Sequence, residues 1–162
     1  MKANTFAKLD GKNWRLAIVQ ARFNQVITDK LADGARQALK QAGVKPDKIG
    51  LFKIPGAFEI PLICQKISQT KAYHGIITIG AVIKGQTAHF EYISQAAING
   101  VMSVMLKTGL PISLGIITAY SLAQAKARSG SGKTNKGYEA ASALLEVLAN
   151  PIRKKPLTKI RG

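Results

Sequence analysis

Residues 85–90 form the segment of this chain best suited to carry out chemistry. Their sequence is Gly85-Gln86-Thr87-Ala88-His89-Phe90, and they follow an apolar run that ends at Ile83. A strand that ends in a glycine loop and continues into a helix exposes backbone N–H groups, which suit a phosphate. An imidazole in the first helical turn can move protons near neutral pH. The segment therefore predicts a phosphate site with His89 as general acid or base beside it.

Three other apolar runs are also followed by residues that suit a ligand. Phe23 and Asn24 place an aromatic face beside an amide, which can stack on a planar heterocycle and bond to its substituents. Glu59 can accept hydrogen bonds from ligand hydroxyls, and Arg128 can bind a phosphate. Structural roles stay open: Phe23 can simply pack, while Glu59 and Arg128 can each offset the dipole of a helix.

The elements that must position these residues alternate along the chain. Apolar runs at 16–19, 49–54, 76–83 and 112–118 predict strands, and the helical spacing of apolar residues between them predicts helices. One of these helices is expected from about Phe58 to Gln69. Nearly continuous apolar strands joined by helices indicate a parallel sheet covered on both faces, an α/β fold with three layers and double winding. Ligands of such sheets bind beyond the carboxyl ends of the strands, where the candidate residues fall.

Length and composition favour a single globular domain over residues 1–150. The chain has 162 residues, of which 46% are hydrophobic, enough for one well-buried core. It has no run of about 20 apolar residues and no apolar secretion signal, so we expect a soluble, cytoplasmic protein without a membrane partner. Cys64 is the single cysteine and its neighbours are apolar, which favours a buried thiol. His74 and His89 lack ligand spacing, so we expect no metal site.

The net charge of +16 raises the alternative of a polyanion-binding protein. Most basic residues are scattered, but residues 151–162 form a basic C-terminal tail with five cations and no acid after Glu146. No RNA-recognition pattern accompanies it. A third hypothesis is a P-loop hydrolase, since Ala127 to Thr134 fits a relaxed P-loop pattern. Its context argues against this hypothesis, because the run follows a helical segment rather than a strand.

Four motifs occur in the order and at the spacing of a known enzyme family. They are Ala21-Arg22-Phe23-Asn24, Ile54-Pro55-Gly56-Ala57-Phe58-Glu59-Ile60-Pro61, the run from Gly80 to Phe90, and Asn135-Lys136-Gly137. Together they resemble the 6,7-dimethyl-8-ribityllumazine synthases over residues 16–148. The resemblance implies a flavodoxin-like fold and a transferase of riboflavin biosynthesis that uses neither a metal nor an organic cofactor.

The resemblance also implies a reaction and a role for each site residue. The reaction condenses 5-amino-6-(D-ribitylamino)uracil with 3,4-dihydroxy-2-butanone 4-phosphate, with loss of phosphate and water. His89 would move protons. The substrate-binding residues would be Phe23 on the pyrimidine, Asn24, Ala57, Phe58 and Glu59 on the ribityl chain, and Ala81, Val82 and Ile83 on the ring, with Leu114 and Lys136. The phosphate would be bound by Gly85, Gln86 and Thr87, and by Arg128 of a neighbouring subunit.

The family relationship implies assembly as well. In the family that the motifs resemble, the active sites lie between subunits of a homo-pentamer. Some members build an icosahedral shell of twelve pentamers, 60 subunits in all. Residues Phe6 to Asp10 would add a strand to the sheet of a neighbouring subunit, and the short loop from Ser129 to Thr134 resembles the shell-forming pattern. In a shell, the basic tails would line the lumen and could retain nucleic acid or an acidic protein as cargo.

This chain departs from the family pattern at four positions. Leu114 stands where many relatives have a phenylalanine that packs on the ring, which predicts a weaker ring contact. Ala88 replaces a usual proline, Lys84 a common arginine, and Gly132 a lysine of the phosphate loop.

Overall fold

The structure, a computed structural model, describes residues 9–150. Its strands are β1 (Leu16–Ala21), β2 (Ile49–Ile54), β3 (Gly75–Ile83) and β4 (Ile112–Ala119). Its helices are α1 (Gln25–Gln41), α2 (Ile60–Thr70), α3 (His89–Thr108), α4 (Leu122–Arg128) and α5 (Lys136–Ala149). Three short 3-10 turns complete it, at Pro46–Lys48, Ala57–Glu59 and Gly132–Thr134.

The four strands form one parallel sheet in the order β2-β1-β3-β4. The predicted α/β fold with four parallel strands and double winding is therefore confirmed. The helix expected from Phe58 begins instead at Ile60, because Ala57–Glu59 forms a 3-10 turn that the Glu59 carboxylate closes on the Gly56 N–H. Pro61 is tolerated because it lies in the first turn of α2, where its missing N–H costs no helical bond.

Two hydrophobic cores cover the two faces of the sheet. Helices α1 and α5 pack on one face and α2 and α3 on the other. Successive residues of β1 point alternately to them: Leu16 and Ile18 lie in the first core, Ala17 and Val19 in the second. Burial on both sides explains why the sequences of the central strands β1 and β3 are almost continuously apolar.

Helices α1 and α5 approach each other closely at Asn135. The Asn135 Oδ1 accepts hydrogen bonds from the N–H groups of Gly137 at 2.8 Å and Tyr138 at 3.2 Å, which caps α5. Its Nδ2 donates to the carbonyl oxygens of Lys30 at 2.9 Å and Gly130 at 2.7 Å. The Asn135-Lys136-Gly137 motif thus joins α1 to α5, and the run that resembles a P-loop lies between two helices, as predicted.

Replacing Gly137 with alanine is expected to destabilise the protein by about 2–3 kcal/mol. A Cβ at this position would overlap the carbonyl oxygen of Leu31, and backbone on both helices would have to move. Thermal unfolding at a fixed protein concentration measures the effect. Gly130→Ala is the matched control, because the nearest atom to its added Cβ is 3.8 Å away. Equal melting temperatures for the two variants would contradict the packing described for α1 and α5.

Cys64 lies on α2 in the second core with no exposed surface. Burial raises the pKa of its thiol from the ordinary value of 9.0 to about 12, opposed by a smaller effect of its own backbone hydrogen bond. At a pH between 9.0 and about 12, the Cys64 thiol ionises in the unfolded chain but stays protonated in the folded chain. The contribution of Cys64 to stability is therefore complete below pH 9 and is lost as the pH rises toward 12.

We expect the native protein to resist alkylation of Cys64 by iodoacetamide at about pH 8, because the thiolate is the nucleophile and the thiol is buried. After unfolding in guanidinium chloride the same reagent should modify it fully. Mass spectrometry of the intact chain measures both. Rapid modification of the native protein would show that α2 opens or that the thiol is exposed.

Two predictions concern the ends of the chain. Leu9 and Asp10 are described outside any strand, and the rest of the predicted N-terminal strand lies outside the described residues. The basic tail, residues 151–162, also lies outside them. Between residues 9 and 150, no helix has the combination of length and apolar surface that crossing a bilayer requires.

Candidate active site

The sheet divides at its carboxyl edge. Strand β1 stays paired with β2 up to Ala21 opposite Ile54, but its pairing with β3 ends at Gln20 opposite Ile79. Beyond that point β3 follows β4, as far as Ile83. The crevice between the two halves is the topological switch point, where ligands of open α/β sheets bind.

A groove of about 560 Å³ occupies this crevice. The structure brings together there most of the predicted site residues: Phe23, Ala57, Phe58, Glu59, Ala81, Val82, Ile83, Gly85, Thr87 and His89. Sequence reasoning missed four other lining residues, Pro55, Gly56, Phe90 and Ile93. Pro55 and Gly56 follow a strand end inside a quoted motif, a signal that could have found them. Phe90 and Ile93 lie near the start of α3 and are only half-buried.

Two aromatic rings of the groove are exposed to solvent. Phe23 is 72% exposed and Phe58 59% exposed, although both adjoin well-packed elements. Exposed phenylalanine rings beside a cavity are a surface on which a planar ligand can stack. This favours a binding role for Phe23 over the packing role that the sequence left open.

The polar side chains of the groove are held by the backbone. Glu59 Oε2 accepts a hydrogen bond from the Gly56 N–H at 2.9 Å, which leaves the second carboxylate oxygen for a ligand. Asn24 Nδ2 donates to the carbonyl oxygen of Ala81 at 2.8 Å, and Asn24 is not among the lining residues. Asn24 therefore joins the two sides of the crevice.

The loop before α3 has the geometry that the sequence predicted. His89 is the first residue of α3 and is exposed, and its N–H lies 3.4 Å from Thr87 Oγ1. Ala88 precedes the helix and has no side chain that could cap it, so apart from the contact with Thr87 the N-terminus of α3 is available to an anion. Gln86 is exposed beside the groove but does not line it.

The charges around this loop are already paired. Lys84 Nζ lies 3.1 Å from Glu91 Oε1 and 5.4 Å from the centre of the Tyr120 ring. The Glu91 backbone N–H and the Lys84 ammonium lower the pKa of Glu91. Among the described residues that line the groove there is no lysine or arginine. Any lysine or arginine that contacts a phosphate bound here would therefore come from outside this lining.

Comparisons with known proteins identify the family of this chain. The family model of 6,7-dimethyl-8-ribityllumazine synthase matches residues 13–151. The chain belongs to this family. It is 42% identical to the 6,7-dimethyl-8-ribityllumazine synthase of Desulfovibrio desulfuricans over 87% of this chain and 90% of that protein. It is 43% identical to the protein of the same name from Helicobacter pylori, over 85% of this chain and 88% of that protein.

Membership of the lumazine synthase family confirms several predictions made from the motifs. The flavodoxin-like fold, the transferase class and the role in riboflavin biosynthesis are confirmed by the family model and the curated relatives. Over residues 9–150, no three His, Cys, Asp or Glu side chains cluster as metal ligands do.

Five residues assigned to the lumazine synthase site do not line the groove: Asn24 and Gln86 beside it, and Leu114, Lys136 and Arg128 elsewhere on the chain. Leu114, which is 48% exposed on the edge strand β4, and Lys136 line a second groove of about 970 Å³ between α3, β4 and α5. Lys136 Nζ pairs with Glu139 Oε2 at 2.7 Å, a partner that the sequence analysis missed. Arg128 ends α4, where its Nη1 donates to the carbonyl oxygen of Gln124 at 3.3 Å, and it lines neither groove.

Proposed function

We propose that the crevice groove is where this chain joins 5-amino-6-(D-ribitylamino)uracil to 3,4-dihydroxy-2-butanone 4-phosphate to form 6,7-dimethyl-8-ribityllumazine. The observation that carries this proposal is the meeting of an exposed aromatic ring, a carboxylate, an imidazole and an open helix start around one groove. In a lumazine synthase family member, the aromatic ring would bind the pyrimidine and the carboxylate the ribityl chain. The helix start would bind the phosphate, and the imidazole would transfer protons.

The pyrimidine would stack on Phe23, with its ring edge against the backbone of Ala81, Val82 and Ile83. The end of β3 supports this placement, because it extends beyond its last pair with β1 and its residues line the groove. The ribityl hydroxyls would bind at Ala57, Phe58 and the unpaired oxygen of Glu59. The Gly56 N–H fixes this carboxylate before the ligand arrives, which reduces the entropic cost of binding.

The phosphate would bind at Gly85, Gln86 and Thr87, where the N-terminus of α3 favours negative charge. Imine formation between the pyrimidine amine and the substrate ketone releases one water and elimination then releases phosphate. Ring closure of the ribitylamino nitrogen on the remaining carbonyl releases a second water. Each step moves a proton, and His89, which lines the groove together with Gly85 and Thr87, would carry it. Holding two substrates together supplies much of the rate enhancement.

We further propose that a second copy of the chain completes the site. Within residues 9–150 no lysine or arginine lines the groove, while Arg128, Lys136 and the exposed Leu114 lie on other surfaces of the same chain. In a cyclic oligomer one subunit can present these surfaces to the groove of the next. We take the pentamer as the repeating unit, with the 60-subunit shell as the larger assembly that the short loop from Ser129 to Thr134 favours.

The charge of +16 supports a secondary proposal, that an assembled shell retains a polyanion. The tail at residues 151–162 would supply much of the attraction. Particles purified at low salt should then carry nucleic acid or acidic protein. An ordinary protein ultraviolet spectrum, together with a single protein band, would exclude both kinds of cargo.

The test of the main proposal is to mix the purified chain with both substrates. We expect growth of the fluorescence of the lumazine product, with one inorganic phosphate released for each molecule formed. Omitting either substrate should abolish both signals. Phosphate release without a lumazine, or no reaction at all, would contradict the proposal.

A further inference from the structure

Asn24 connects the two halves of the divided sheet. It stands between β1 and α1 with φ 57° and ψ 45°, a left-handed conformation that asparagine tolerates better than most residues. From there its Nδ2 reaches across the crevice to the carbonyl oxygen of Ala81 at 2.8 Å. Its own carbonyl accepts from the N–H groups of Ile27 and Thr28 in the first turn of α1.

The Ala81 carbonyl depends on this contact. Pairing between β1 and β3 ends two residues earlier, at Ile79, so strand β1 offers no N–H to Ala81. The residue is 3% exposed, which limits the water that could replace the amide. An unpaired buried carbonyl is costly, so the Asn24 amide holds the end of β3 in place.

The neighbours of Asn24 and Ala81 are the groove residues that would contact the pyrimidine. Phe23 precedes Asn24 directly, and its N–H is bound to the Pro55 carbonyl oxygen at 2.9 Å on the other side of the crevice from β3. Val82 and Ile83 follow Ala81. The hydrogen bond from Asn24 to Ala81 is therefore a bridge between the proposed stacking ring, Phe23, and the proposed ring-edge contacts at the end of β3.

We propose that Asn24 is a positioning residue that sets the width of the crevice, and that it acts on binding of the pyrimidine ring through Phe23 and Ala81. The inference rests on the proposed function. It differs from the role that the family resemblance implies, in which Asn24 binds the ribityl chain. The two roles predict different responses to a ligand that has no ribityl chain.

The test compares two ligands by calorimetry on the full-length protein. One is 5-amino-6-(D-ribitylamino)uracil, and the other is 5-amino-6-methylaminouracil, which keeps the ring and lacks the ribityl chain. Asn24→Gly keeps the left-handed backbone and removes the bridge. We expect it to raise the Kd of both ligands by the same factor, about tenfold. Asn24→Asp keeps the size and the turn but loses the amide donor, and should act in the same way if the glycine variant folds poorly.

The outcomes separate this inference from the proposed function. A loss confined to the ribityl compound would make Asn24 a direct ligand and overturn the inference. Unchanged affinity for both ligands would also overturn it. Failure of the unmodified protein to bind either ligand would instead count against the proposed function. The control is Asn150→Gly, which removes an asparagine whose amide also donates to a carbonyl, that of Glu146, at the end of α5.

Discussion

Replacing His89 with alanine is expected to lower kcat for lumazine formation by about 100-fold, the lower end of what general acid–base catalysis contributes. The site would still hold both substrates, so a residual rate should remain and KM should change little. His89 is exposed at the first position of α3 and lines the groove, so its loss removes a proton carrier without opening a cavity in either core.

The chain offers a matched control in its other histidine, since His74 lies at the opposite end of the sheet. Its Nδ1 accepts a hydrogen bond from the Arg15 N–H at 2.9 Å, ahead of β1. His74→Ala should lower the melting temperature slightly and leave kcat unchanged. Equal effects of the two substitutions on kcat would show that His89 acts through stability alone.

Replacing Arg128 with alanine is expected to raise KM for the phosphorylated substrate by about 10- to 100-fold, the range of one charge-assisted hydrogen bond or pair. KM for the pyrimidine should change far less. The reason is that the groove of a single chain is lined by no lysine or arginine among the described residues, so the phosphate dianion depends on an arginine from outside. Lys126→Ala, which removes a cation from the same short helix, is the control.

Mixed oligomers test whether that arginine comes from another subunit. Chains with His89→Ala keep Arg128, and chains with Arg128→Ala keep an intact groove. If the two residues of one site come from neighbouring chains, random mixing in equal amounts restores about one quarter of the sites, so activity should rise to about 25% of the unmodified protein. The two variants are mixed by unfolding them and refolding them together. If both residues act within one chain, this mixing should restore no activity.

The elements were predictable from the sequence where local pattern decides them. Apolar runs marked all four strands, most clearly the central strands β1 and β3, which are buried on both faces. Gly85 marked the loop that precedes α3. The start of α2 was wrong by two residues, since a carboxylate and a backbone N–H three residues apart favour a tighter turn there. That competition between turn types leaves little trace in apolar spacing.

The groove was predictable in outline and not in detail. Parallel strands place their carboxyl ends at one edge, so residues after each strand had to meet. The bridge from Asn24 to Ala81 joins residues 57 apart in sequence, and no local pattern specifies such a contact. The separation of Leu114, Lys136 and Arg128 from the groove is likewise a property of the folded chain.

The most direct test of this account is a crystal structure of the oligomer with its lumazine product and inorganic phosphate bound. We expect the ring to stack on Phe23 beside the end of β3, with the phosphate at the start of α3 near His89 and an Arg128 from a neighbouring subunit in contact with it. A product bound at the groove that Leu114 and Lys136 line within one chain, or a phosphate held by that chain's own Arg128, would contradict the account.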